Sequence, residues 1–242
     1  MGRVRPVVTG LLLAAWLAHP SASPGRSRAT GPERSRGADA SAVEPVVKRF
    51  LTRADEPLTQ FRAARHLEAQ NDKFNKDASM DVVTELFPDG RFTYTITRET
   101  GSEYIRKRVM RGLLDNEKEM AATKDPSRFA VTPRNYDVVG GELTDEGIVK
   151  LLAKPRRKDA GLIEGAVFVT SADADIVRVE GRLVKSPSFW TTRVDLVKRY
   201  ARVAGVRVPI RLDTTAHVRF AGTSTMSMTY NYEMVNGIAV SQ

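Results

Sequence analysis

The sequence predicts an α+β protein built mainly on a curved antiparallel β-sheet, a barrel or half-barrel. Two long runs near the C-terminus carry most of this prediction, because apolar and polar residues alternate across residues 206–221 and again across residues 225–234. Strict alternation gives a strand one apolar and one polar face. Both runs are about twice the usual strand length. Long strands with one apolar face favour a sheet that wraps into a barrel or half-barrel.

Length and composition allow one good-sized domain and exclude thiol chemistry. The 242 residues include no cysteine, which excludes disulfides, thiolate metal sites, thiol nucleophiles and a lipid-modified N-terminal cysteine. The formal charge is +9, and residues 1–36 contribute +5 of it through six arginines and one glutamate. The rest of the chain has 32 basic and 28 acidic residues, a net charge of +4. A mixed surface of this kind predicts no nucleic-acid partner.

The N-terminus has the layout of a secretory signal. Arg3 and Arg5 precede an apolar run over residues 7–18, and small residues follow at positions 21–23. The apolar run is shorter than the roughly 20 residues that a bilayer-spanning helix needs. We therefore expect a cleaved signal peptide over residues 1–22, with an uncleaved anchor as the alternative.

The segment behind the signal has the composition of a tether. Residues 23–41 are rich in Ser, Arg, Gly, Pro and Ala and show no apolar periodicity, which predicts a flexible linker. The folded domain is expected over residues 42–242. After cleavage no transmembrane span remains, so the protein is expected in the periplasm or outside the cell.

The first half of the domain reads as a helix, a strand and a hairpin. Apolar residues at helical spacing predict a helix over residues 44–54, and a strand is expected over residues 60–71. The Pro-Asp-Gly sequence at residues 88–90 has turn chemistry. It predicts a hairpin between a strand that ends at Phe87 and an alternating strand over residues 92–97.

A second helix is predicted within residues 101–124. Ile105 and Leu113 belong to one apolar stripe at helical spacing. Thr100 and Glu103 have the spacing of a capping box, and Ser102 is an alternative cap. An amphipathic helix of this kind normally packs on a sheet, and a role at a membrane surface is the alternative.

The second half of the domain predicts a β-meander. Gly140-Gly141 is expected to form a strand bulge or a turn, and the basic segment 154–158 is expected to form a loop. Strands are predicted over residues 148–153, 162–170, 176–183 and 189–203, followed by the two long alternating runs.

Three segments resemble the LolA/LolB-like superfamily of periplasmic lipoprotein carriers and outer-membrane lipoprotein-sorting proteins. They are Leu-Leu-Ala-Lys-Pro-Arg-Arg at residues 151–157, the hairpin at residues 165–183, and the Tyr…Gly…Pro pattern of residues 200–209. The resemblance covers roughly residues 42–237. It implies a curved antiparallel sheet that helices close on the concave side, around an apolar cavity for acyl chains or a partner.

The sequence shows no catalytic or metal-binding motif. It lacks the G-x-S-x-G sequence of a nucleophile elbow, and His66 and His217 have no further ligands at metal-type spacing. Both histidines are therefore expected at the surface, and neither a cofactor nor a metal is predicted. Two distant acids can meet in a fold without leaving a trace in the sequence, so an envelope hydrolase stays as a lesser alternative.

These observations predict a non-enzymatic envelope protein that binds an apolar ligand, either a lipid or the acyl chains of an acylated protein, as a carrier or sensor. The alternative is a protein-interaction or envelope-sensing module whose sheet edge, or basic segment 154–158, binds an envelope protein. For Trp190 and the methionines, ordinary core packing is the competing interpretation. The residues predicted to line the cavity are Phe92, Tyr94, Ile96, Trp190, Ile210, Leu212, Met226, Met228, Tyr230 and Tyr232.

Overall fold

The computed structural model describes residues 37–122, 129–144, 146–159 and 161–241. The predicted signal peptide and most of the predicted linker lie outside these ranges. Helix α1, Gly37–Thr52, begins at residue 37 rather than at the expected residue 44, inside the segment predicted to be a linker. Within the described ranges, no helix combines the length and the apolar character that a bilayer crossing requires.

Antiparallel strands form one large sheet in the described part of the chain. Their spatial order is β3-β2-β1-β10-β9-β8-β7-β6-β5-β4, with β11 beside the end of β10. Since β3 and β4 stand at the two ends of this order, the sheet is open, and the predicted fold class is confirmed. The strands are β1 (Phe61–Asn71), β2 (Lys76–Leu86), β3 (Phe92–Gly101), β4 (Tyr136–Leu143), β5 (Ile148–Pro155), β6 (Ile163–Thr170), β7 (Ile176–Leu183), β8 (Thr191–Val203), β9 (Val206–Val218), β10 (Gly222–Val235) and β11 (Ile238–Ala239).

One face of the sheet, the inner face, carries the core. Along β1 every second residue from Phe61 to Asn71 is buried, as the pleat requires of a strand with one buried side. A single buried cluster joins Phe50 of α1, Leu113 of the second helix and Met228 of β10. Both helices thus pack against the same side of the sheet, and their placement on a concave side stays a prediction.

The second helix begins at residue 103, directly after Ser102, whose carbonyl accepts from the N–H of Arg106 at 3.0 Å. It is π-helical over Ile105–Met110 and continues as α2, Arg111–Ala122. The capping box predicted at its start is wrong. Thr100 still belongs to β3, where its hydroxyl lies 2.8 Å from the hydroxyl of Ser79 in β2. The residue before the π-helical segment is Tyr104, whose side chain forms no capping hydrogen bond. Thr100 is therefore paired with β2 in the sheet and does not cap the helix.

The two long alternating strands form as predicted, but they separate from each other halfway. Their pairing runs from Val218 and Gly222 to Arg211 and Thr229. Beyond that point β9 stays paired with β8, and β10 stays paired with β1. Pro209 lies in the separated part of β9, where its missing N–H costs no bond to β10.

Glycines mark irregular pairing near the β4 edge. The predicted bulge at Gly140-Gly141 is confirmed, because the register of β4 against β5 shifts between Val139 and Glu142. A Cβ atom on Gly141 would overlap the carbonyl of Lys150. The predicted basic loop starts late, since β5 extends to Pro155.

A network of ion pairs fixes the segment that follows α1. Asp55 accepts bonds from Arg202, at 3.0 Å, and from Arg207. Asp175, just before β7, pairs with the same two arginines at 2.6 and 3.2 Å. Both acids are more than four-fifths buried, so the network ties the end of α1 to three strands.

Candidate functional site

Eight of the ten predicted lining residues belong to the two buried clusters of the described structure or are partly buried against them. Trp190 lies apart at one end of the sheet with an exposed fraction of 38%, and Ile210 lies where β9 leaves β10. The eight clustered residues are Phe92, Tyr94, Ile96, Leu212, Met226, Met228, Tyr230 and Tyr232.

The inner face around the methionines is filled by protein side chains. Met228 of β10 and Leu212 of β9 stand opposite each other. Their exposed fractions are 0% and 1%, so the described part of the chain leaves almost no water-sized space beside them. A ligand can therefore reach this part of the inner face only if a covering element moves.

Arg65 interrupts the apolar inner face at the centre of β1. It occupies an inner position between Ala63 and Leu67 and is itself buried. Its Nη1 donates to Oε2 of Glu117 in α2, at 2.7 Å, and both side chains are more than nine-tenths buried. Its Nε has no hydrogen-bond partner among the described residues, which leaves one buried donor unsatisfied.

Aromatic rings surround the Arg65 guanidinium. Its Cζ lies 4.6 Å from the ring centre of Tyr230 and 5.7 Å from those of Phe61 and Phe92. A guanidinium over the face of an aromatic ring is stabilised by the ring quadrupole. These contacts partly replace the hydration that the buried cation has lost.

Lys198 brings a second cation to the same face. It is buried in β8, opposite Leu212 of β9, and its Nζ lies 5.4 Å from the ring centre of Tyr200. Burial lowers the pKa of the Lys198 ammonium to about 8; the carboxylate of Glu117 opposes this change, and Arg65 adds to it. We call Arg65, Glu117 and Lys198 the inner charge cluster; with Lys198 protonated it carries two positive charges and one negative charge.

Tyrosine hydroxyls lie close to the inner charge cluster. Burial raises the pKa of Tyr200, Tyr230 and Tyr232, so these phenols stay neutral hydrogen-bond donors at ordinary pH. The Tyr232 hydroxyl donates to the carbonyl of Pro209 at 2.9 Å. The centre of the inner face is therefore polar, although apolar residues flank it on both sides.

A cleft of about 320 Å³ opens beside the C-terminal end of α2. Phe92, a predicted lining residue, forms part of its wall with Lys118 and Ala122 of α2 and with the β2–β3 turn. Nearby, the Tyr94 hydroxyl donates to Oδ1 of Asp115 at 2.7 Å and so ties α2 to β3. Burial and this bond raise the pKa of Tyr94 to about 12.

Two members of the inner charge cluster could have been found in the sequence, because they are charged residues at positions that strand alternation turns inward. Arg65 falls on the period-two face of Ala63 and Leu67, and Lys198 falls on that of Leu196. A charge at a position that the pleat turns inward marks a buried ion. Among the described residues, Glu117 is the acid that is more than nine-tenths buried, and it is paired with Arg65.

His66 and His217 lie at the surface, as predicted. His66 Nδ1 is 2.6 Å from Oδ1 of Asp81, and its Nε2 is 3.2 Å from Oε1 of Glu68. His217 is exposed and contacts the Thr223 hydroxyl. Within the described ranges, no three acidic or histidine side chains converge as a metal site requires.

The chain is similar to three solved structures at low sequence identity. An outer membrane lipoprotein-sorting protein domain from Vibrio parahaemolyticus has 10% identity and a TM-score of 0.38, and the match covers 84% of this chain and 95% of that chain. A LolA superfamily protein from Nitrosomonas europaea has 9% identity and a TM-score of 0.36, with 81% of this chain and 92% of that chain covered. A DUF1329 family protein from Desulfovibrio piger has 10% identity and a TM-score of 0.35, with 80% of this chain and 92% of that chain covered. No family model and no curated protein matches the chain. The first two structures are of the lipoprotein-sorting and LolA classes that the sequence resembles.

Proposed function

We propose that the inner face binds the acyl chain of a lipid or of an acylated protein, without catalysis, as a carrier or sensor in the cell envelope. The inner charge cluster is the observation that supports this proposal. A sheet that only needs a stable core gains nothing from burying two cations and one acid at its centre, because apolar residues of similar volume are often more stabilising there.

The position of the cluster makes α2 separable from the sheet. Glu117 is the α2 residue that meets Arg65. When the helix moves away, Arg65, Glu117 and Lys198 regain water, which offsets part of the free energy lost by exposing apolar surface. An interface with a polar centre therefore opens at lower cost than a dry one.

The charge of the cluster defines the chemistry of the ligand. With α2 displaced, Arg65 and Lys198 present two cations beside an apolar surface, whereas Glu117 leaves with the helix. An amphiphile with one anionic group and an acyl chain matches both parts of this surface. Eight buried CH₂ groups would contribute about 6 kcal/mol, at about 0.8 kcal/mol each, before the cost of opening.

Lys198→Met tests the proposal with little risk of unfolding, because it replaces a buried ammonium by an apolar side chain of similar length. We expect it to weaken the binding of a fluorescent fatty acid about tenfold, since one charge-assisted contact is lost. A fatty alcohol of the same chain length should lose less affinity than the fatty acid, because it meets only the higher cost of opening the drier interface and has no charge-assisted contact to lose. Lys154→Met, at an exposed position, is the matched control. Equal affinity of native and Lys198→Met protein for the fatty acid would contradict the assigned role of Lys198.

Lipid mass spectrometry on protein purified from its native envelope tests the wider proposal. We expect an anionic, acyl-containing molecule to be extracted with the protein. If repeated extractions recover no lipid and no fluorescent fatty acid binds, the acyl-binding function is wrong.

One observation favours a second candidate, a protein-interaction module. Strand β4 ends the sheet order, and Val139 on it is 55% exposed opposite Leu152, which is 49% exposed. An exposed sheet edge can accept a strand from a partner. Crosslinking in the envelope would then capture one stoichiometric protein, and Val139→Lys should abolish the capture while leaving fatty-acid binding intact.

A further inference from the structure

Three neighbouring loops at one end of the sheet carry large exposed rings. Phe74 lies between β1 and β2, Phe189 and Trp190 precede β8, and Phe220 lies between β9 and β10. Their exposed fractions are 56%, 76%, 38% and 78% respectively. The ring centres of Phe189 and Phe220 lie 5.4 and 6.0 Å from that of Trp190. We call these four residues the aromatic tip.

Hydrogen bonds between the loops hold the aromatic tip together. Lys73 Nζ donates to the carbonyl of Phe220 at 2.8 Å and so joins the first and third loops. The backbone N–H of Arg219 donates to the carbonyl of Trp190 at 2.7 Å and joins the third and second loops. The rings therefore form one surface that the fold positions.

The backbone of Phe220 is in a conformation that its residue type disfavours. Its φ of 64° lies in the left-handed region, where glycine or asparagine is the usual choice. A ring that is 78% exposed gains little packing energy in return. Strained positions of this kind concentrate at functional sites, so the exposed ring itself points to a role.

Cations surround the rings. Residues 72–77, 184–190 and 219–222 contain four basic residues, Lys73, Lys76, Lys185 and Arg219, against two acids, a local balance of +2. The Arg219 guanidinium carbon lies 5.0 Å from the ring centre of Phe189, and Lys73 Nζ lies 6.0 Å from that of Phe74. Aromatic and basic side chains thus alternate over the same loops.

We propose that the aromatic tip docks the protein on the surface of an anionic lipid bilayer. Aromatic rings favour the headgroup region of a membrane, and basic residues beside them are attracted to anionic headgroups. Rings that project from separate loop tips fit shallow insertion into a deformable surface, whereas protein hot spots pack centrally in preformed pockets. This docking surface is distinct from the inner face and stands whether or not that face binds acyl chains.

Trp190 reports directly on the proposed contact. The two tryptophans of the chain are Trp16 and Trp190. The full chain is expressed with export, and the N-terminus of the purified protein is determined by mass spectrometry. If residue 16 has been removed, Trp190 is the single tryptophan; if it is retained, Trp16→Phe gives the same result.

The probe is a vesicle made of phosphatidylcholine and phosphatidylglycerol in equal parts. On binding we expect the Trp190 emission to shift to shorter wavelength and to be quenched by lipids brominated near the headgroup. Binding should weaken as salt screens the headgroup charge, and vesicles of phosphatidylcholine alone should bind more weakly. No change in Trp190 emission at saturating lipid would overturn the proposal.

Substitutions separate the aromatic tip from other exposed apolar residues. Phe220→Gly removes a ring and suits the local backbone, so the fold is retained. Combined with Phe189→Ser, it should reduce vesicle partitioning by about tenfold or more. Ile238→Ser, at a residue that is 56% exposed at the opposite end of the sheet, should leave partitioning unchanged. The proposal fails if the double variant binds like the native protein, or if Ile238→Ser loses as much.

A protein partner is the competing occupant of the aromatic tip. It would be indicated if native protein ignored vesicles but crosslinked to one stoichiometric protein, and if the Phe189→Ser/Phe220→Gly variant lost that crosslink. Such a result would show that the membrane proposal is wrong.

Discussion

The ion pair of Arg65 and Glu117 is required for stability, because both side chains are buried away from water. Their side chains are 4% and 7% exposed, so removing one partner leaves a buried charge without compensation. The exposed pair of Arg182 and Glu164, at 2.9 Å, has water as an alternative partner. The two pairs have similar distances and very different consequences.

Glu117→Gln is expected to lower the free energy of unfolding by about 3–5 kcal/mol. Glu164→Gln should leave it nearly unchanged, since surface pairs contribute little. Urea unfolding followed by circular dichroism measures both. The double variant Arg65→Met/Glu117→Met should recover much of the loss; if it is as unstable as Glu117→Gln, an uncompensated charge is not the cause.

Because of Lys198, the free energy of unfolding should rise with pH between about pH 8 and pH 10. In the folded state the pKa of Lys198 is lowered from 10.5 to about 8, so between these values the unfolded chain binds more protons than the folded one. The stabilisation is complete above the unfolded pKa and is lost as pH falls through the folded pKa. The loss amounts to about 3 kcal/mol at most.

Lys198→Met should abolish this pH dependence and be more stable than native protein at pH 7. Urea titrations at about pH 7.5, 8.2 and 9.0 keep most tyrosines of the unfolded chain protonated, because their pKa is about 10. Lys154→Met should keep the native slope. A native protein whose stability is flat across this window would show that Lys198 is hydrated in the folded state.

Only part of the inner charge cluster could be predicted from the sequence. Arg65 and Lys198 could have been marked as inward charges from the period of their strands. Their shared partner could not, because Glu117 lies 52 residues from Arg65 on another element. The place of Trp190 in the cavity stays a prediction, because a ring beside a turn has no sequence feature that separates a pocket mouth from a loop tip.

Helix α2 is the element expected to move. Besides the Arg65–Glu117 pair, contacts with β3 hold it in place: the Tyr94–Asp115 hydrogen bond and the ion pair of Arg111 with Glu99, at 2.8 Å. The polar centre described above makes its detachment a local event rather than global unfolding.

Tyr94→Phe is expected to speed amide hydrogen exchange in Arg111–Ala122 about fivefold, because one hydrogen bond of about 1 kcal/mol is lost. Exchange in β5, β6 and β7, which lie away from α2, should not change. Tyr104→Phe, at a residue that is 53% exposed, is the matched control. Equal acceleration in α2 and in these strands would mean that the helix does not open independently.

Elements with their own periodicity were predicted well, and junctions between elements were not. The alternation of β9 and β10 required only local residues, and the Gly140-Gly141 bulge required only two glycines. The start of the second helix depended on whether Thr100 paired with Ser79, a residue from the preceding strand. The separation of β9 from β10 likewise follows from their outer neighbours, which alternation does not encode.

At the scale of the whole molecule, the pairing of β1 with β10 holds the N-terminal and C-terminal strands in one sheet. Met228 lies on this seam opposite Leu67, and neither side chain is exposed. The sequence predicted both strands but not that they are neighbours, since no local pattern records a contact across most of the chain.

Met228→Ala should therefore lower the free energy of unfolding by about 2–5 kcal/mol, the usual cost of emptying a core position. Leu152→Ala, at a half-exposed position on β5, should cost less than about 1 kcal/mol. Denaturant unfolding compares the two. If the costs are equal, the β1–β10 seam is not part of the cooperative core.

The same pairing sets the order in which the molecule can be completed during synthesis. Asn71 meets Ser224, which is made 153 residues later. Until then β1 has β2 on one side and an unsatisfied backbone edge on the other, the kind of edge on which nascent chains aggregate. Charged side chains on β1, among them Arg62 and Glu68, can act as gatekeepers against aggregation during this interval. The hydrophilic residues of β1 thus protect the nascent chain from aggregation before β10 has been made.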